Sequence, residues 1–249
     1  MLAPETAQIL RKPLKDEVFE VLHGRIIAGQ YAPGEWLRQD DISTQLGISM
    51  TPVREALNLL VSAGLAERVP YRGVRVLQPS INEIVDSYAM RLLLESSAIY
   101  AAAFNITPLQ ISHLEKILDQ SKSHAKLKDI SRERVLSREL HTAIVLASDN
   151  ALLQKMYITV LNTFPDWMLY EYLFRHPDLL ETSMSNEYKE HRDIVAALAD
   201  HQPELAVERT IIHLTNRGRE LEEYLGVPKE LVRLKEARIL PFLKQFTRS

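Results

Sequence analysis

The hydrophobic period of this chain leaves the helical spacing in one short stretch, and that constrains the fold more than any other feature. From Leu14 an apolar stripe runs through Val18, Leu22 and Ile26, the spacing of one helix face. Pro33-Gly34 interrupts it as a turn. A short helix is expected at about Asp40–Leu46, ended by Gly47, the residue that best accepts a left-handed cap. Another is expected at about Met50–Ala63, with Ser49 or Thr51 as its N-cap and Pro52 tolerated in its first turn. Over residues 65–77 the period becomes two. Leu65, Glu67 and Val69 alternate with Ala66 and Arg68, and beyond Pro70-Tyr71-Arg72-Gly73 the run Val74-Arg75-Val76 alternates again, which predicts a small β-hairpin.

After Gln78-Pro79 the pattern is helical throughout. Ser80-Ile81-Asn82-Glu83 is a capping-box pattern opening a helix to about Phe104. Further helices are expected from Pro108, over about Asp129–Ser148, from an Asn150 cap with Pro165 as a kink or break, over about Met184–Asp200, from Pro203 to about Leu225, and as a short last piece from Pro228. The expected fold is therefore mainly α. A winged helix-turn-helix occupies residues 1–78, with residues 1–12 as a flexible lead-in, and an all-α antiparallel helical bundle occupies residues 79–249.

Composition narrows the chemistry. The absence of Cys excludes disulfides, thiolate metal sites and Cys nucleophiles. No stretch reaches the roughly 18 apolar residues of a membrane span, and the N-terminal sequence lacks a signal-peptide apolar region. A soluble, cytoplasmic protein without membrane partners is expected. The formal net charge is −3, and the first 78 residues carry nine basic and nine acidic groups. A basic domain would have announced a nucleic-acid partner; here the positions of the basic residues carry that argument.

In the helix at 50–63, Val53, Leu57 and Leu60 form the apolar stripe, while Met50, Arg54 and Asn58 lie four apart on another face. A recognition helix meets base edges with residues near its N-terminus. Arg54 suits guanine and Asn58 suits adenine there. Ser49 and Thr51 stand where hydroxyls and helix-end amides hold phosphate. Arg72 and Gly73, at the hairpin tip, suit a wing approaching the backbone or minor groove. An ordinary helical hairpin with solvated arginines fits the same pattern.

The wording of the sequence goes further. Ala32-Pro33-Gly34, Leu37, the run Leu46-Gly47-Ile48-Ser49-Met50-Thr51-Pro52-Val53-Arg54-Glu55-Ala56-Leu57, then Leu60, Gly64-Leu65 and Arg72-Gly73-Val74-Arg75-Val76 resemble the GntR family of bacterial transcription regulators over residues 14–76. The resemblance implies a homodimer on a near-palindromic double-stranded DNA operator, with Arg38, Arg54 and Gly73 at DNA-contacting positions. The family usually has Arg where this chain has Met50, which removes one contact per half-site. Residues 80–225 resemble the FCD effector domain of the FadR-type branch, through Tyr88-x-x-Arg91-x-x-x-Glu95, Leu140-His141, Asn150, His191 and His213.

That second resemblance implies a small carboxylate effector beside a divalent metal, Zn or Ni, held by His141, His191 and His213. The family's fourth ligand, an Asp one turn before the first His, is Ser137 here, which leaves either three His completed by water or effector, or an empty or differently used pocket. Glu139 points to another face, and Glu133 lies two turns away. Spacing supports part of the set independently. His191 and His213 each stand eleven residues from Gln202, so an antiparallel hairpin brings both to one height, about 16 Å from the turn. Arg91 and Glu95 suit either a helix ion pair or a clamp in which Arg91 holds an effector carboxylate, with Tyr88 one turn earlier lining the same pocket. His23, His113, His124, His176 and His201 read as surface or packing residues. The expected function is a DNA-binding regulator, a repressor, controlled by an organic acid. A regulator that senses the metal itself is the alternative. A three-His metalloenzyme fused to a DNA-binding head lacks any recognisable general base, so no enzyme is expected.

Overall fold

A computed structural model of the chain describes residues 12–123 and 127–247. The lead-in expected over residues 1–12, Lys12 apart, and His124 lie outside the described residues. The head opens with α1 (Leu14–Ile27), α2 (Gln39–Leu46) and α3 (Met50–Ser62). α1 buries Val18, Leu22 and Ile26, and α3, packed on it, buries Val53, Ala56, Leu57 and Leu60. Gly47 caps α2 at φ 65°, a left-handed conformation that costs glycine least. Strands β1 (Ala66–Val69) and β2 (Gly73–Val76) pair antiparallel, with Ala66 opposite Val76 and Val69 opposite Gly73. Trp36 adds a bridge to Arg75. The alternation expected from Leu65 fails at its start, because Leu65 and Ala66 are both buried. Leu65 still belongs to the turn after α3, its amide donating to the carbonyl of Leu60. The two-residue period begins only where strand pairing begins.

The bundle consists of α4 (Ile81–Asn105), α5 (Pro108–Ser123), α6 (Ile130–Ala147), α7 (Ala151–Thr163), α8 (Asp166–Arg175), α9 (Pro177–Ala199), α10 (Pro203–Leu225) and α11 (Lys229–Leu243). α4 is its hub, packed on α6, α7, α10 and α11. Ser80 and Glu83 close the capping box that starts α4. Pro165 is the break rather than the kink, separating α7 from α8. Two helices depart from expectation. α9 starts at Pro177 rather than near Met184, with the proline at a first-turn position that needs no amide hydrogen. Its buried face alternates Leu180 and Met184 with Ser183, Glu187 and His191, so polar residues in the core hide the apolar stripe. α11, expected as a short last piece, runs to 15 residues.

Head and bundle share a core. Trp167, Tyr170 and Leu173 of α8 and Leu180 and Met184 of α9 pack into the same apolar cluster as Leu22, Ile26 and Leu57. Burying each large apolar side chain of that kind contributes roughly 1.5–3 kcal/mol. At the junction Gly64, at φ 67°, lies so close to Asn162 that a Cβ would stand 2.9 Å from its backbone. No helix among the described residues is long and apolar enough to cross a membrane.

Candidate functional site

Two sites emerge, one on the head and one inside the bundle. On the head, Ser49 is the N-cap of α3 and its hydroxyl makes no capping bond to the helix. Met50, Thr51, Arg54 and Asn58 are all exposed. Arg68 on β1 donates to Oδ1 of Asn58, tying helix to wing, a link the sequence pattern did not suggest. Arg38 caps α2 at its N-terminus. Together with Arg72, Gly73, Trp36, Gln39 and Asp40 it lines a concavity of about 560 Å³ between α2 and the wing tip. Arg38 and Arg72, far apart in sequence, therefore serve one surface. Arg75 is held in place below it by Glu67 at 2.8 Å and by the Trp36 ring at 6.0 Å.

Inside the bundle, α6, α9 and α10 bring together His141, His191 and His213, all buried. Nε2 of His141 lies 3.1 Å from Nε2 of His191 and 3.2 Å from Nε2 of His213. The rings of His191 and His213 are 4.7 Å apart by centroid, at the matched height that their spacing about Gln202 requires. The second ring nitrogens face outward. Nδ1 of His141 is 2.8 Å from Oε2 of Glu95 on α4, and Nδ1 of His213 is 2.8 Å from Oε2 of Glu190 on α9.

Those outer contacts fix the chemistry of the centre. A neutral imidazole carries one N–H. Donating it from Nδ1 to a carboxylate leaves Nε2 as a bare lone pair, and both His141 and His213 then aim lone pairs at each other. Two such acceptors 3.2 Å apart are satisfied by a cation between them or by a proton on one of the rings. Three nitrogens at about 2.0–2.1 Å from one ion stand roughly 3.0–3.4 Å apart, which the two spacings match. Among the described residues, these three histidines bring their ligand atoms within 4.8 Å of one another. The donor set fits a divalent metal, with carboxylates behind two of its imidazoles as metal sites commonly have.

Electrostatics keeps His191 and His213 in ligating form. Burial, reinforced by His141, pushes the His191 imidazole down to about 3. Burial and the two neighbouring rings push His213 far below its usual range. Burial pushes Glu95 up, but Arg91, 2.6 Å away, and His141 outweigh it and hold the carboxyl at about 2. Burial raises Glu190.

Of the two readings of Arg91 and Glu95, the helix ion pair is the one present. Arg91 does not stand free for an effector carboxylate. Its Nε donates to Glu95, its guanidinium covers the Phe164 ring at 4.7 Å, and it is buried. Tyr88 is not brought to the cluster; its hydroxyl donates to Glu236 on α11 at 2.7 Å. Ser137 sits one turn before His141 and donates to Oε1 of Glu187 at 2.8 Å. Glu139 is exposed and Glu133 accepts from Ser121, so neither joins the cluster. Glu187 and Glu190, like the buried role of Glu95, were missed. One signal was present: Glu187-x-x-x-His191 repeats on α9 the carboxylate-to-His spacing that Ser137-x-x-x-His141 lacks on α6. The space beside the cluster, lined by Glu95, Ile99, His141, Ile144, Val145, Ile194 and Thr210, measures about 10 Å³. That is roughly one water or ion.

The two sites are joined by Arg134 of α6, which is buried. It donates to Asp166 at 2.7 Å and to the carbonyl of Ala63, and lies 3.3 Å from Nε2 of His23 on α1. His23 is thus a packing residue at the junction, as expected in kind. His176 and His201 are spent on the backbone carbonyls of Tyr172 and Ala103.

An exposed recognition helix and wing on a helical bundle with a closed polar centre define a ligand-regulated DNA-binding protein. Residues 14–76 match the bacterial regulatory proteins of the gntR family, and residues 86–216 match the FCD domain. The chain belongs to the GntR family of transcriptional regulators, in its FCD-containing branch. It is 30% identical over 199 residues to a "Probable D-xylose utilization operon transcriptional repressor" of Paenarthrobacter nicotinovorans, covering 79% of this chain and 80% of that protein. It is 28% identical to the Nta operon transcriptional regulator of Aminobacter aminovorans, over 76% of this chain and 85% of that one. In fold it is similar to E. coli McbR/YncC, with a TM-score of 0.63 at 22% identity, covering 86% of this chain and 100% of that chain.

Proposed function

We propose that this regulator represses its target by binding a near-palindromic operator as a homodimer, and that His141, His191 and His213 hold a divalent ion, Zn or Ni. The chain is read as dividing at Gln78-Pro79, between β2 and the capped start of α4. On DNA, Arg54 and Asn58 read bases, Ser49 and Thr51 hold phosphate, and Arg38, Arg72 and Gly73 bring wing and α2 to the backbone. A second copy suits the outer face of α6 and α7, where Leu146, Leu152, Met156 and Ile158 are exposed and α7 carries Lys155 as its sole charge.

The observation that carries the metal reading is the convergence of bare Nε2 atoms at 3.1 and 3.2 Å, with Nδ1 contacts spent on carboxylates. Such an ion supplies a positive charge for an acidic effector. Arg91 works behind it, holding Glu95 and through it His141. Space for about one water favours two ordered steps: an organic acid enters only when α4, α6, α9 and α10 spread. Movement of α6 carries Arg134, and with it the end of α3, which changes the spacing of two heads on DNA.

The same small volume favours a second reading, in which the ion alone is the signal. Metal content, operator affinity with and without chelator, and a thermal-shift screen of small organic acids separate them. An acid that raises the melting temperature and weakens operator binding only in metal-loaded protein supports the first reading. Chelator acting alone on operator affinity supports the second. A protein that takes up no metal overturns both.

A further inference from the structure

Three neutral imidazoles give a buried dication no anionic ligand of its own, and a buried charge without a direct partner costs several kcal/mol. The nearby carboxylates differ in which side of the rings they serve. Glu95 and Glu190 stand behind His141 and His213, at Nδ1. Glu187 faces the other side. Its Oε1 is 3.9 Å from Nε2 of His191, and it precedes His191 by one helical turn on the same face of α9. It is buried. Ser137 donates to its Oε1 at 2.8 Å and Tyr170 at 3.1 Å, and Arg217 lies 3.5 Å from its Oε2 but nearer Glu220, at 2.8 Å.

We propose that Glu187 is the anionic member of the His141–His191–His213 ion site, and that Ser137 is its positioning residue. The carboxylate has moved from α6 to α9, and the hydroxyl left at position 137 aims it. Glu187 approaches from the His191 side, with one bridging water or one side-chain rotation covering the distance left. The inference rests on the metal reading given above. It also means that an aspartate at position 137, the family's ligand position, does not complete the site. With Glu187 in place, Ser137→Asp sets two buried carboxylates against each other.

The test uses the full-length protein, with Zn²⁺ as the probe. Zinc affinity is measured calorimetrically against a competing chelator, and the melting temperature is read with and without zinc. Glu187→Gln should lose tenfold or more in zinc affinity and most of the zinc-induced rise in melting temperature. Ser137→Ala should lose less, and Ser137→Thr, which keeps the hydroxyl, should stay near wild type. The double variant Ser137→Asp/Glu187→Gln should regain most of the affinity, and it decides the case if Glu187→Gln alone does not fold. Wild-type affinity in Glu187→Gln, alongside loss in His191→Ala, overturns the role of Glu187 and leaves the metal centre standing. A folded double variant that binds no better than Glu187→Gln overturns it equally. A wild-type protein that binds no zinc overturns the metal reading and this proposal together.

Discussion

Arg134, near the start of the bundle helix α6, donates a hydrogen bond to the carbonyl of Ala63 at 3.0 Å, where α3 ends. Carbonyls in the last turn of a helix lack intrahelical partners and carry the negative end of its dipole. A cation there both satisfies the acceptor and fits the field. His141 lies seven residues further along α6, two turns on and on the same face. One rigid helix therefore touches the histidine cluster at one point and the end of α3 at another.

Breaking that link should be costly. Burial lowers the Arg134 pKa, while Asp166 beside it, pushed up by burial, is held below its usual range by Arg134 and Arg138. Arg134→Met leaves Asp166 buried with only part of its compensation, and removal of one partner of a buried pair costs about 3–5 kcal/mol. Urea unfolding of Arg134→Met, Asp166→Asn and the double variant measures it. The double variant should be less destabilised than the two single losses added together. A loss within about 0.5 kcal/mol for Arg134→Met, typical of a surface change, contradicts this account.

Arg54→Ala should cost roughly 1–3 kcal/mol of operator affinity, with a smaller loss on random DNA, if Arg54 reads a base. Its exposure on the first turns of α3 motivates the expectation. Mobility-shift titrations on both DNAs check it, and an equal loss on the two would reassign Arg54 to phosphate.

Met50 is exposed at the start of the same helix. Met50→Arg should tighten DNA binding and steepen its salt dependence, each added phosphate contact changing the slope by about −0.9. Affinity measured across a salt series gives the slope directly; an unchanged slope places residue 50 away from the backbone.

His23 should make the protein sensitive to acid. Burial first, then Arg134, pushes its imidazole down to about 3 from 6.5. Above pH 6.5 the ring is neutral both folded and unfolded, so it has no effect on pH dependence. Below that the unfolded chain takes up a proton that the folded one refuses, and stability falls until the folded pKa is reached. At pH 5 the loss amounts to about 2 kcal/mol. His23→Gln should remove this slope, so chemical denaturation of both proteins from pH 7 to pH 4.5 should show the wild type losing more. Parallel curves would mean that His23 is protonated in place beside Arg134.

Much of the architecture was legible in the linear chain because its causes are local. Apolar residues three and four apart gave the helices of the head, Gly47 gave the sharp turn between two of them, and the change of period gave the wing. The hairpin about Gln202 placed His191 opposite His213, since helical rise alone sets that height. α9 was legible only in its second half, because Ser183, Glu187 and His191 occupy its buried face and polar residues there break the periodic signal.

What the chain by itself determined, then, is the order of its elements, the exposed face of α3 that carries Met50, Arg54 and Asn58, and the three histidines. Each follows from short-range spacing. Tertiary structure alone decided which charges are buried and whom they face. Arg91 with Glu95 resembles any solvated pair one turn apart until α4 becomes the hub of the bundle. Arg134 is one more basic residue on a helix until α1, α3 and α8 close around it. Glu187, one turn from His191 on α9, is held there by Ser137, which α6 brings from fifty residues away. The energy of a charged group depends on the dielectric and the partners around it. Those are supplied by residues distant along the chain, and local pattern carries no record of them.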